Sequence, residues 1–116
     1  MAIAPPDLTQ SPPRRGREEL GGFVWLPRVL DTARAALAGT NGKYAGYDEI
    51  SKAWLQNMGI MQQHFNAVVE SGADDDFVVM FMNRRVDHPR RERANRFILE
   101  DHKTDLDRLD REEGYT

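Results

Sequence analysis

The 116-residue chain reads as an all-α protein, a small compact bundle of about five short helices behind an irregular, Pro-rich N-terminal arm. Three observations carry that reading. Apolar residues recur at spacings of three and four through "LPRVLDTARAALAG", the period of a helix with one buried face. Gly39, Gly59 and Gly72 each follow such a stretch, where a left-handed residue closes a helix. The only strand candidate, the apolar run 77–82, has no second strand to pair with.

Residues 1–17 form the arm. Pro5-Pro6 and Pro12-Pro13 exclude regular helix there. The expectation is extended or polyproline-like backbone, ordered only where it docks on the body. Arg14, Arg15 and Arg17 give it a basic cluster. Glu18-Glu19-Leu20 predicts one helical turn stopped by Gly21-Gly22, and residues 18–116 read as a single helical domain. The first helix begins near Pro27, since proline suits a first turn. Its stripe is Leu26, Leu30, Ala33 and Leu37, widened by Val29 and Ala36, and Gly39 closes it before a Thr40-Asn41-Gly42 turn. The second helix takes Asp48 as its N-cap and buries Ile50, Ala53, Trp54 and Met58. The third, over 61–71, buries Phe65, Val68 and Val69. The fourth starts at Asp74–Asp76 and ends at Arg84-Arg85, complementing the helix dipole at both ends. That favours helix over strand for its middle, "FVVMFM". The fifth starts at Pro89, with Asp87 or His88 at its cap, and buries Ala94, Phe97 and Ile98 with Leu106 or Leu109. Glu92 and Arg96 form an i, i+4 pair worth about 0.3 kcal/mol.

The net charge of −3 hides a strong local contrast. Residues 84–96 hold six arginines against two acids, and residues 97–116 hold seven acids against three bases. Arginines at a helix start and acids at its end oppose the macrodipole. The order predicts either a break near Lys103-Thr104 or use of these charges by another chain or a ligand. The acidic terminal segment 103–116 reads as a solvated turn or frayed tail.

Several chemistries are excluded or left without a motif. The absence of cysteine removes disulfides, thiolate catalysis, zinc–thiolate sites and iron–sulfur clusters. Together with the lack of a secretory leader or a membrane-length apolar run, it suits a cytoplasmic protein with no membrane partner. His64, His88 and His102, with Asp87, Glu100 or Asp101 nearby, lack the helical spacing of a metal site. No metal or other cofactor is expected. Ser11, Ser51 and Ser71 sit in cap-like or exposed contexts outside any nucleophile elbow. The acids Asp48-Glu49 and Asp74–Asp76 are what capping predicts, and "AGTNGKYAG" has no phosphate-loop motif. No catalytic residue is named, and the reading leans away from an enzyme.

Two binding surfaces compete with plainer explanations. Arg28, Asp31 and Arg34 fall at i, i+3 and i+6, and an aspartate between two arginines can orient both guanidinium groups. With Lys43 and Tyr44 just beyond the turn, they could bind a carboxylate or phosphate. The plainer expectation is that the arginines fasten the Thr40–Tyr44 loop and the arm through carbonyls. Arg84, Arg85, Arg90, Arg91, Arg93 and Arg96 could contact nucleic acid. The net negative charge and the absence of interleaved aromatics disfavour that, leaving a solvated face that pairs with the acidic segment. Trp25, Trp54, Phe81 and Met82 could supply apolar contact surface, although core packing is the plainer use.

The block Leu26-Pro27-Arg28, Asp31, Ala33-Arg34-Ala35, Ala38-Gly39-Thr40, Gly42 and Tyr44 resembles a bacterial family of small proteins, domain-of-unknown-function family 5069. The likeness continues more loosely through Gly59-Ile60, Phe65 and the acid-started segment 74–82, covering roughly residues 7–100. The chain departs from the family pattern at Thr32, in place of a lysine, and at Met61, in place of an acid. The second change leaves the third helix without a side-chain cap. The resemblance implies a mostly helical, soluble bacterial protein and carries over no activity. The function expected is a non-catalytic binding module for a protein partner, a second copy of itself included. The alternatives are anion or small-molecule binding through the Arg/Asp/Arg face, with or without catalysis, and a nucleic-acid accessory role.

Overall fold

A computed structural model describes residues 4–115. Its elements are a hairpin of β1 (Glu19–Leu20) and β2 (Phe23–Val24), then α1 (Leu26–Ala38), α2 (Glu49–Asn57), α3 (Gln62–Glu70), α4 (Asp75–Arg85), α5 (His88–Arg96) and α6 (Lys103–Glu112). A π-helical segment, Phe97–Asp101, joins α5 to α6. The protein is mostly helical, and its radius of gyration of 13.3 Å is that of a folded domain of this length.

Local chemistry sets most helix ends. Asp48, Asp74 and Asp87 each accept a hydrogen bond from the backbone N–H three residues on, at 2.8, 2.9 and 3.0 Å. Each thereby satisfies one otherwise orphaned donor. Met61 precedes α3 with no side-chain cap. Pro27 lies in the first turn of α1, and Gly39 closes it at φ 74°, its N–H directed to Ala35 and Ala36 carbonyls. The run 77–82 lies inside α4, with Val78, Phe81 and Met82 turned inward.

Three expectations are corrected. Residues 18–20 make no helical turn: Glu19 and Leu20 pair antiparallel with Val24 and Phe23. Gly21 and Gly22 both have positive φ, which a two-residue hairpin loop of matching twist requires. Leu37 is 49% exposed because the last turn of α1 overhangs the core. The covered surface of α1 is instead Leu26, Val29, Leu30 and Ala33 together with Arg28, Thr32, Arg34 and Ala35. The acidic segment 103–116 is no frayed tail: it holds α6, whose Leu106 and Asp110 are buried. The chain does break where the charge order conflicts with the dipole, at His102, one residue before Lys103.

The core runs from Phe23, Trp25 and Leu26 through Leu30, Trp54 and Phe65 to Met82, Ile98 and Leu106. Phe65 meets Trp54 and Tyr47 edge to face, with ring centroids 6.5 and 6.1 Å apart. Trp25 holds a left-handed backbone at φ 82°, a conformation that costs a non-glycine residue about 1–3 kcal/mol. Its ring is buried, and its Nε1–H donates to the Ser51 hydroxyl at 2.9 Å. That bond pins the start of α1 to α2. Trp25, Trp54 and Met82 are thus core residues, and Phe81 lies at its boundary.

The arm packs against this core through Gly16. A Cβ there would lie 2.5 Å from Leu106 Cδ2 and 2.7 Å from the Trp25 ring. Gly16→Ala is therefore expected to destabilise the protein by about 1–3 kcal/mol through overpacking. A thermal melt should show a lowered midpoint, while Ser11→Ala on the exposed part of the arm should leave it unchanged.

Candidate functional site

The polar face of α1 is closed rather than open. Arg28 is only 4% exposed. Its Nη1 and Nη2 donate to the two carboxylate oxygens of Glu113 at 2.8 and 2.7 Å, a bidentate pair of the strong type. Nη1 also donates to the Arg14 carbonyl at 3.2 Å. The Tyr44 hydroxyl donates to the same Glu113 at 3.1 Å. Burial and the neighbouring Glu113 carboxylate push that hydroxyl's pKa up to about 12. The Arg28 guanidinium lies over the Trp25 and Tyr44 rings, 5.5 and 5.7 Å from their centroids.

Asp31 does not orient Arg28 or Arg34. It accepts the backbone N–H of Arg14 at 2.9 Å and the Arg14 guanidinium at 3.1 Å. Arg14 continues to Asp75 at 3.0 Å, and Arg34 reaches the other oxygen of Asp75 at 2.8 Å and the Ala73 carbonyl at 3.0 Å. The result is a chain of alternating charge, Asp31–Arg14–Asp75–Arg34, from the arm across α1 to the start of α4. Burial pushes the Asp75 carboxyl up, but the hydrogen bonds from Arg14 and Arg34 outweigh it and hold it below its ordinary value. On the other side, Arg15 and Arg17 both reach Asp110 at 2.7 Å, and Arg17 reaches Asp107 at 2.6 Å. The hydrogen bonds from Arg15 and Arg17 lower the pKa of Asp110 and Asp107, respectively.

The anion pocket expected from Arg28, Asp31, Arg34, Lys43 and Tyr44 is therefore not assembled. Arg28 and Tyr44 meet over Glu113, Asp31 faces the arm, and Arg34 faces α4. Lys43 stays exposed, its ammonium 5.6 Å above the Tyr44 ring. Carbonyl ties do exist, as expected, but carboxylates 85 and 41 residues away hold most of the charge. Chemically the arrangement is a fastener for the arm. Asp107 and Asp110 of α6 pair with the arm, Asp105 and Glu112 pair locally with Arg108, and among the described residues none pairs with the basic segment 84–96.

In that segment Arg84, Arg85, Arg90, Arg93 and Arg96 are exposed. Arg91 is half-buried, hydrogen-bonded to His88 at 2.9 Å and placed over the Phe23 ring. Glu92 lies 4.0 Å from Arg91 Nε, not paired with Arg96 as expected. His64, His88 and His102 lie in or beside different helices, and no three metal-ligating side chains gather among the described residues. No helix there is long and apolar enough to cross a membrane.

Two open clefts escaped the sequence reading. One, of about 410 Å³, lies between α3 and α4 over Ala67, Val68, Phe77, Met80 and Phe81, rimmed by His64, Arg84 and Arg85. The other, of about 960 Å³, lies between α2 and α3. The signal for the first was available: Phe77, Met80, Phe81 and Arg84 fall at i, i+3, i+4 and i+7 on α4, one continuous face beside the inward Val78 and Met82. The second is built from glutamines and a loop, which have no periodic signature.

The fold and the fastened arm define a small, mostly helical protein whose polar charges serve its own architecture. The chain belongs to the family of the domain of unknown function DUF5069, whose model matches residues 10–114. No curated protein matches it.

Two outcomes test the fastener. Arg28→Met should destabilise by about 3–5 kcal/mol by stranding the buried Glu113, whereas Arg28→Met with Glu113→Leu should recover much of that loss. Urea unfolding of both variants measures it. Because Asp75, Asp107 and Asp110 lie below the ordinary 3.8 when folded, the unfolded chain binds more protons in that range. Their contribution is present above that value and is lost as pH falls through the lower folded values. Urea midpoints should hold from pH 7 to pH 5 and fall below about pH 4, with a shallower fall in Asp110→Asn.

Proposed function

We propose that this protein is a non-catalytic interaction module that receives an apolar, acidic segment of a partner protein in the groove between α3 and α4. The observation that carries this reading is the pairing of exposed apolar side chains with an uncompensated basic rim. Phe77 and Met80 are 53% and 52% exposed, three residues apart on α4. Side chains at this spacing share one helix face, the arrangement that meets an amphipathic segment laid in a groove. Arg85 stacks over the Phe81 ring at 4.1 Å, which keeps its guanidinium at the groove edge. Neither Arg84 nor Arg85 makes an ion pair among the described residues, and no carboxylate lines the groove. The complementary partner carries acids beside its apolar anchors. The exposed arginines of α5 support a nucleic-acid surface less well, because the exposed apolar side chains near them, Leu99 and Met61, are aliphatic and offer no ring for base stacking.

Phe77→Ser and Met80→Ser should change stability by no more than about 0.5 kcal/mol, as expected for exposed positions. Fluorescence anisotropy with a helical peptide bearing leucines on one face and glutamates on its flanks is the direct assay. Either serine variant, or Arg84→Glu with Arg85→Glu, should weaken binding at least about tenfold, since a groove anchor or a facing charge pair is worth more than about 1.4 kcal/mol. Equal binding by these variants would reject the groove. Salt-sensitive retention of DNA or RNA by the wild type, lost in an Arg90→Glu, Arg93→Glu variant, would replace this reading with the nucleic-acid one.

A further inference from the structure

We infer that the cleft between α2 and α3 is a second, separate site that takes a small organic anion with an apolar body and a carboxylate or phosphate head. The cleft measures about 960 Å³, within the range of small-molecule sites. Its floor is apolar: Leu55 and Ile60 are buried, and Met61 stands at the lip, 54% exposed. Tyr47 closes one side, its ring set edge-on to Phe65 and its hydroxyl donating to Asn66 at 3.0 Å. Such a floor takes an aromatic or branched aliphatic body.

The rim supplies the polar selection. Gln56, Gln62 and Gln63 line the cleft, and their side-chain amides make no hydrogen bond within the described residues. Asn66 is already spent on Tyr47 and Glu70. Among the described residues, the one charged side chain in the lining is the cation Lys52, and the nearby carboxylates Glu49 and Glu70 lie outside the lining, each bonded to a lining side chain. Lys52 has only an exposed 3.5 Å contact to Glu49, a pairing that offers little competition. Arg90 approaches from α5 and makes no ion pair among the described residues. Its guanidinium sits against Gly59, where a Cβ would lie 3.6 Å from Nη1. No aspartate or glutamate lines the cleft. A lining lysine over an apolar floor, with a second cation beside Gly59 and no carboxylate in the lining itself, favours an anion over a neutral or cationic ligand. Free amide groups can then complete the head group's hydrogen bonds.

Amide chemical-shift titrations of the intact chain test this with benzoate, phenyl phosphate and neutral benzamide as probes. Benzoate, phenyl phosphate or both should give saturable shifts confined to residues 47–66 and the start of α5 around Arg90, and their relative affinities identify the preferred head. Lys52→Ala or Arg90→Ala should weaken the anion at least about tenfold, as loss of a charge-assisted contact does, while benzamide changes less than twofold. The cleft lies apart from the α3–α4 groove, so Phe77→Ser should leave the titration unaltered. The inference is overturned if neither anion saturates, if shifts scatter outside the cleft, if benzamide binds as well as the anions, or if both alanine variants bind the anion like wild type.

Discussion

Arg28 brings a full positive charge into a place almost closed to water, and much of the molecule is arranged around neutralising it. A buried guanidinium without partners costs several kcal/mol. Glu113 meets it with both oxygens, Tyr44 adds a donor to the same carboxylate, and Arg14 adds a backbone carbonyl. These partners come from the last helix's exit, the loop after α1 and the arm. One buried side chain on α1 therefore requires both ends of the chain to be folded against it. The break at His102 belongs to the same requirement, because it frees α6 from the direction of α5.

The two ends are also matched in charge. The arm contributes Arg14, Arg15 and Arg17, and α6 contributes Asp107 and Asp110. The break at His102 resolves the charge order: Asp105 falls in the first turn of α6 and Arg111 in its last, as the dipole favours, while Asp107 and Asp110 are placed for the arm. Exposed pairs such as Arg17–Asp107 contribute little singly and are screened by salt. Asp110 differs, since two arginines share a buried carboxylate. Over its described residues the arm has no helix or sheet hydrogen bonds and is held by these charges, by Leu8 N–H on the Thr40 carbonyl, and by Tyr115 on Pro13.

What could be read in the sequence divides along the distance over which the cause acts. Asp48, Asp74, Asp87, Pro27 and Gly39 act within one turn of backbone, and each was legible. The partners of Arg28 and Arg15 lie 85 and 95 residues away. Nothing local marks Glu113 as the residue that returns to Arg28, so a solvated tail was the natural expectation. Leu37 shows a different failure: its spacing fits the buried stripe, but the core ends before the helix does. The Glu19–Leu20 hairpin was hidden by its brevity, because two residues show no alternation. Its Gly-Gly turn was the available signal, read instead as a helix stop.

The clefts follow from how little of α3 the core uses. At about 100° per residue, Phe65 and Val69 occupy one side of the helix and are its buried residues. Gln62, Gln63 and Asn66 fall on a second side, against α2, and His64, Ala67 and Val68 on a third, against α4. A single apolar stripe reports only the first of these sides. A nine-residue helix anchored by two side chains cannot cover both neighbours, so a cleft opens on each flank. The flanks differ in chemistry: amides and flanking cations on one, apolar side chains and a basic rim on the other. The charges of α1 close that helix's polar face, whereas the shortness of α3 leaves a surface open on each of its flanks.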